Sequence, residues 1–328
     1  MKAKIAIICV LAFSSLGMTE EHWGFFGHKK INELAVYTLP EEMFGFYKAH
    51  LEFLIDHSVD PDKRRYGVKG EAERHYIDLD RYCGDSLPCN PFENIPRRWT
   101  DAVAKFTEDT LRAHGIVPWH VNLMTIQLTE AFRAENLDRI LRLSAELGHY
   151  VGDAHVPLHT TSNYNGQKTN QRGIHGFWES RLPELFLTDY DFFVGKAEYI
   201  DSPLNFIWDR VAESFAAVDT VLGFEADLNE SYPSDQKYAY EDRGQTNMKV
   251  YSREYSAAYS QMLDDQVERR MKSAVVTLGC LWYTCWVDAG QPDLTKFSKA
   301  KISPEAIEEI VKEEITSDPN LKVREHDN

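Results

Sequence analysis

Beyond residue 13 the chain contains no apolar run long enough to cross a bilayer. It has no internal repeat, no alternation of strand-like and helix-like segments and no glycine-rich phosphate loop. Solenoids, doubly wound sheets and P-loop folds are therefore excluded. The common zinc-peptidase signature His-Glu-x-x-His is missing. One Glu-x-x-His is present, Glu146 to His149, but it has no second copy, so the paired motif of di-iron bundles fails. Basic residues are in deficit, with 36 Lys and Arg against 52 Asp and Glu and a net charge of −16. That balance offers no electrostatic footprint for duplex nucleic acid or an anionic membrane. A small anionic substrate stays open, because bound metal ions set the local field of a site.

Cysteine is scarce as well. Cys9 lies in the N-terminal apolar run after Ile7 and Ile8, where a lipoprotein signal requires a small residue. Cys83 and Cys89 flank a Gly-Asp-Ser-Leu-Pro turn that suits a local disulfide in an exported protein. Cys280 and Cys285 fall in an apolar, helix-like stretch, where buried free thiols fit equally well.

What is present is an ordinary globular composition, 43% hydrophobic and 27% charged, behind an unusual start. Lys2 and Lys4 precede an apolar run over residues 5–13, and small residues follow at 14–17. This reads as a secretory signal peptide, and the protein as secreted or periplasmic. Residues 1–22 are then a signal peptide with a possible short leader, 23–300 the main domain, and 301–328 an acidic helical tail that frays. Apolar periodicity predicts helices over 24–38, 41–55, 101–114, 122–134, 136–155, 177–186 and 204–222, with two more over 250–287. A loop is expected from His57 to about Arg74, and residues 75–80 are too short to support a sheet. The fold class is all-α, one domain of long packed helices.

Within residues 149–159 stand His149, Asp153, His155 and His159. His149 and Asp153 share a helix face at i, i+4, and Pro157 ends the helix, which lets His159 turn back towards them. His155 lies on another face and reads as structural. His175 and Glu179 repeat the i, i+4 spacing after a polar loop. His28 near a helix entry, Asp60 among Asp56 and Asp62, and His75 are further candidates. A lone His28 or His75 is more often an ordinary buried or surface histidine. Two helix-spaced histidine–carboxylate pairs in one chain are far more specific to a metal site.

The order of Trp23, His28, Asp60, His75, His149, Asp153, His159, His175 and Glu179 resembles the superfamily joining bacterial zinc-dependent phospholipases C with secreted single-strand-specific zinc nucleases. The resemblance implies an all-α fold around a trinuclear zinc site. Asp60, His75, His149 and Asp153 would hold one Zn2+, and His159, His175 and Glu179 a second. Asp153 would bridge to a third, completed by His28 and main-chain groups of Trp23. A free amine at Trp23 requires cleavage after His22, several residues beyond the small-residue site. Asp60 is chosen over Asp56 and Asp62 by its spacing to His75.

Clustered zinc suits phosphodiester hydrolysis, in which Asp60 would be the catalytic carboxylate beside the attacking water. Asp78 is a candidate to fix an imidazole. Glu179 and weaker similarity over 276–288 lean towards phospholipase C and a phospholipid head group. The alternative substrate is single-stranded nucleic acid, gripped by aromatics among Phe25, Phe26, Tyr76, Tyr164, Phe177 and Trp178. A non-catalytic metal-binding helical protein is the reading from a different class.

Overall fold

The computed structural model of the protein describes residues 24–83, 90–243 and 246–316. The expected signal peptide, Trp23, Cys89 and the part of the expected tail beyond 316 lie outside the described residues, and the expectations resting on them with it.

Helix α1 (Gly24–Ala35) is followed by α2 (Glu41–Ala49) and α3 (Leu51–Asp56), the predicted second helix being broken at His50. The expected loop after His57 contains a short helix, α4 (Asp60–Arg64), with Pro61 in its first turn, where a missing N–H costs nothing. Helices α5 (Pro91–Asn94), α6 (Trp99–Phe106) and α7 (Glu108–Ala113) follow. The single helix expected over 101–114 is two, because Thr107 has φ 68° and accepts a hydrogen bond from the Thr110 N–H to start α7.

Helices α8 (Val117–Arg133) and α9 (Leu137–His155) form the central hairpin. Asn136 caps α9 by accepting from the Arg139 N–H at 3.1 Å, and Pro157 opens a 3₁₀ turn just beyond its end. After a polar loop, α10 (Ile174–Gly176), one π-helical turn (Phe177–Arg181) and α11 (Leu182–Phe186) run on continuously. Helices α12 (Pro203–Ala216) and α13 (Val218–Ser231) divide another stretch read as one. The chain continues through α14 (Arg253–Leu263), α15 (Gln266–Asp288) and α16 (Pro304–Glu314).

The all-α class holds, with one addition. Among the described residues the only strands are β1 (Tyr238–Arg243) and β2 (Thr246–Tyr251), an antiparallel hairpin pairing Tyr238 with Tyr251 and Arg243 with Thr246. No described helix is long and apolar enough to cross a membrane.

Helices α1, α8, α9, α12 and α15 enclose the main core, with Phe132, Leu147, Tyr150, Trp208 and Trp282 fully buried. Close approach of α1 to α9 depends on two glycines one turn apart. A Cβ on Gly148 would lie 1.7 Å from Asn32 Oδ1, and one on Gly152 would lie 2.7 Å from His28 Nδ1. Asn32 occupies that space to donate to the carbonyls of Leu54 and Ala145, at 2.8 and 3.0 Å. A smaller second core gathers Phe177, Tyr251, Tyr255 and Tyr259 between the π turn, the hairpin and α14. Helix α16 is capped by Ser303 and grips α4 and α9 by charge. Lys63 reaches Glu314 at 2.8 Å, and Arg142 pairs with Glu313 and, at 3.4 Å, with Glu309. Cys280 and Cys285 are free buried thiols.

Candidate metal centre

The end of α9 delivers His149 and Asp153 to one point, both buried. The Gly148/Gly152 side of the same helix admits α1, so the His28 ring stacks on His149 with centroids 4.0 Å apart. Residues 75–78 cross nearby as a short irregular segment. Ile77 N–H donates to His159 O at 2.8 Å and Val117 N–H to Tyr76 O at 3.1 Å, which pins His75 against the end of α9. Gly115 permits that crossing, since a Cβ there would stand 2.2 Å from Tyr76 O. The bend at Pro157 returns His159, and the α10/π segment brings His175 and Glu179.

Three groups of donors result. Asp153 Oδ2 lies 3.0 Å from His75 Nδ1 and 3.4 Å from His149 Nε2. Asp62 Oδ1 lies 3.6 Å from each of the same two nitrogens. Asp153 turns its other oxygen to His28 Nε2 at 3.5 Å. Glu179 Oε2 meets His175 Nε2 at 3.0 Å and His159 Nε2 at 3.3 Å, and His159 Nε2 is 3.8 Å from Asp153 Oδ1. Asp153 thus touches all three groups.

Asp60, the carboxylate expected here, does not join them. Its Oδ2 is 2.6 Å from His57 Nδ1 and its Oδ1 2.9 Å from Lys63 Nζ. The short helix α4 turns Asp62 inward and Asp60 towards Lys63, one turn on, so the carboxylate that clusters with His75 and His149 is Asp62. Trp23 is outside the described residues. His155 donates or accepts at Ser273 and Thr277 on α15 and takes no part. The carboxylate at the outer nitrogen of His75 is Glu71, at 3.6 Å, whereas Asp78 is buried beside Tyr82.

The donor set has the chemistry of a metal site. In His149, His159 and His175 the Nδ1–H donates to a main-chain carbonyl, of Ser58, His75 and Tyr164 respectively. That tautomer leaves the Nε2 lone pair aimed at the carboxylates, an arrangement that repels unless a cation lies between. Among the described residues the ion-pair partners of Asp153 and Glu179 are all histidines. Buried carboxylates without lysine or arginine partners require another source of positive charge. Burial, helped by His149, pushes His28 down to about 4. Burial acts the same way on His149, but Asp153 and Asp62 outweigh it and hold that ring at about 9. Glu179 would be raised by burial, yet His175 and His159 keep it well below the usual carboxylate range. The cluster draws in cationic charge, and imidazole with carboxylate is the donor mixture zinc takes.

Behind these donors runs a buried charged network that sequence reading does not reveal. Glu71 accepts from Arg64 Nε and Arg74 Nη1, each at 2.8 Å, and from the Tyr150 hydroxyl. Arg64 also clamps Glu146 with both terminal nitrogens, at 2.7 and 2.9 Å. Arg65 is equally unanticipated. It is 2% exposed, its Nη1 stands 3.9 Å from Asp62 Oδ1, and its Nε and Nη1 have no hydrogen-bond partner among the described residues. The signal for both was local: Arg64 and Arg65 follow Asp62 in the one basic-acidic segment preceding His75.

Comparison with known proteins agrees with this geometry. No curated protein matches the chain. A family model described as S1/P1 Nuclease matches residues 23–278, well over half of its length, and spans every donor named above. The chain belongs to the S1/P1 nuclease family, whose members are zinc-dependent phosphodiester hydrolases.

Proposed function

We propose that the protein is an exported zinc nuclease acting on single-stranded nucleic acid. The observation that carries this reading is the family match over residues 23–278, together with a buried donor set suited to zinc. Glu179 and the 276–288 segment lean towards phospholipase C, but the match favours the nuclease side. The basic and then apolar start of the chain supports export.

In this reading Asp62, His75, His149 and Asp153 would hold one Zn2+, and His159, His175 and Glu179 a second. His28 and Asp153 would contribute to a third, for which the family resemblance supplies main-chain groups of Trp23. Zinc bound among these donors would polarise the phosphodiester and bring the pKa of a water towards neutrality. The carboxylate of Asp62 orients the attacking water and takes its proton. Arg65, with unused N–H donors beside Asp62, holds non-bridging oxygens as charge builds on the phosphate. Glu71 keeps the His75 ring from turning.

The test is hydrolysis by purified protein of single-stranded DNA, duplex DNA and phosphatidylcholine, before and after chelation. Release of acid-soluble nucleotides from the single strand, lost on chelation and restored by zinc, is expected. Phosphocholine release with the DNA left intact would overturn the reading.

A further inference from the structure

Helix α9 carries a polar stripe along its length, and the metal centre uses only the last part of it. Asp138, Arg142, Glu146, His149 and Asp153 follow one another at helical spacing, so they share one face. His149 and Asp153 enter the donor cluster. The other end of the stripe meets α16. Asp138 Oδ1 accepts the Ser303 N–H at 2.9 Å, where α16 starts, and Arg142 pairs with Glu313 near its end. Ile310, between them, is buried.

From Glu313 an unbroken alternation of charge leads inward. Arg142 Nη2 donates to Glu313 Oε2 at 2.5 Å, and Arg142 Nε donates to Glu146 Oε1 at 2.9 Å. Glu146 takes both terminal nitrogens of Arg64, whose Nε donates to Glu71 Oε2 at 2.8 Å. The other oxygen of Glu71 faces His75 Nε2 at 3.6 Å, while His75 Nδ1 is turned to Asp153 and Asp62. Side-chain exposure falls from 31% at Glu313 through 24% at Arg142, 8% at Glu146 and 5% at Arg64 to none at Glu71. Screening by water therefore weakens at every step, and a charge removed at the outer end is felt further than in a surface pair. Geometry adds to charge. A planar guanidinium gripped by both terminal nitrogens leaves its Nε one direction in which to donate. Glu314, the next residue, takes a separate route, through Lys63 to Asp60, outside the donor cluster.

We propose that Glu313 is a positioning residue for the metal centre, acting through Arg142, Glu146 and Arg64 to fix Glu71 and thereby the ring of His75. Helix α16 lies beyond residues 23–278, so the support comes from outside the part of the chain that matches the family. This rests on the zinc reading of the cluster and names what sets the grip of one of its groups. Without the Glu313 charge, Arg142 turns fully to Glu146, the hold on Arg64 slackens and His75 gains freedom to rotate. The group of Asp62, His75 and His149 loosens, whereas His159, His175 and Glu179 have no link to this route.

The experiment measures zinc affinity of the full chain by competition with a chromogenic chelator. It compares the parent with Glu313→Gln, Glu314→Gln, Glu71→Gln and the Glu313→Gln, Glu71→Gln double variant. Glu313→Gln is expected to weaken affinity about 5-fold and Glu314→Gln less than about 2-fold. With Glu71 already changed the route is cut, and Glu313→Gln should then add less than about 2-fold. Melting temperatures of the zinc-free proteins gauge the loss of α16 packing that both helix variants share. Equal losses from Glu313→Gln and Glu314→Gln overturn the proposal, as does an undiminished loss in the Glu71→Gln background or an unchanged affinity. Initial rates on single-stranded DNA keep this apart from the reading beneath it. Zinc bound without cleavage removes the nuclease reading and leaves Glu313 its role; no zinc bound removes both.

Discussion

Asp60 and Asp62 stand two residues apart on one short helix, both buried, in two histidine–carboxylate clusters of opposite character. Asp62 enters a group in which imidazoles surround the carboxylates and no lysine intervenes. Asp60 enters a corner with His57 and Glu314 that contains Lys63, 2.9 Å from Asp60 and 2.8 Å from Glu314. Histidine and acid gather in both places. In the first, Asp153 meets only histidines and Arg65 comes no nearer than 3.9 Å to Asp62, so that group needs a cation from solution, whereas Lys63 already fills the second. A metal site is recognised here less by the ligands it collects than by the neutralising side chain it omits.

The sharpest way to break this comparison is to neutralise each aspartate in turn. Asp62→Asn is expected to reduce kcat on single-stranded DNA by about 10³-fold or more. Asp60→Asn should leave kcat within about 3-fold. Equal losses, measured by initial rates at saturating zinc, would erase the distinction. A smaller effect is expected from Glu71→Gln, which removes the charge behind His75 but keeps its shape. Zinc affinity should fall about 10- to 100-fold, read by competition with a chromogenic chelator, with activity recovered at high zinc.

The least effect belongs to the lysine-filled corner. Lys63→Met should lower stability by roughly 1 kcal/mol, since the ammonium is a third exposed, and leave the zinc content unchanged. Its pH dependence sharpens the contrast. Burial raises the Asp60 carboxyl, but His57 and Lys63 outweigh it and hold its pKa below the usual value. Its contribution is present above the unfolded pKa of about 4 and is lost as pH falls through the lower folded value. Urea unfolding at pH 7 and pH 3 should show a smaller acid loss in Lys63→Met than in the parent.

The helical architecture was largely legible because its signals are local. Asn136 and Pro157 bracket α9, and apolar periodicity marks what lies between. Seven of the structurally gathered donors, His28, His75, His149, Asp153, His159, His175 and Glu179, were reached from spacing and resemblance. The choice between Asp60 and Asp62 could not be made from spacing, because a five-residue helix has no apolar stripe to show which side faces inward. Lys63, three residues after Asp60, was the one available hint. The hairpin escaped because its strands are polar or exposed along most of their length, which leaves little alternation to detect. Thr107 breaks a helix through a positive φ that residue type does not announce.

Helix α16 lies beyond the part of the chain that matches the family, yet it clasps α4, the helix bearing Asp62, through Glu314 and Lys63. On the ribosome these partners appear at opposite ends of synthesis, since 250 or so residues separate Lys63 from Glu314. The inner ligands can assemble while the last helix is still unmade, and the outer clasp closes only when translation has passed it. Timing is thereby written into the scaffold: a nascent chain stalled before residue 304 carries the donors of the centre without the fastening that steadies one of them.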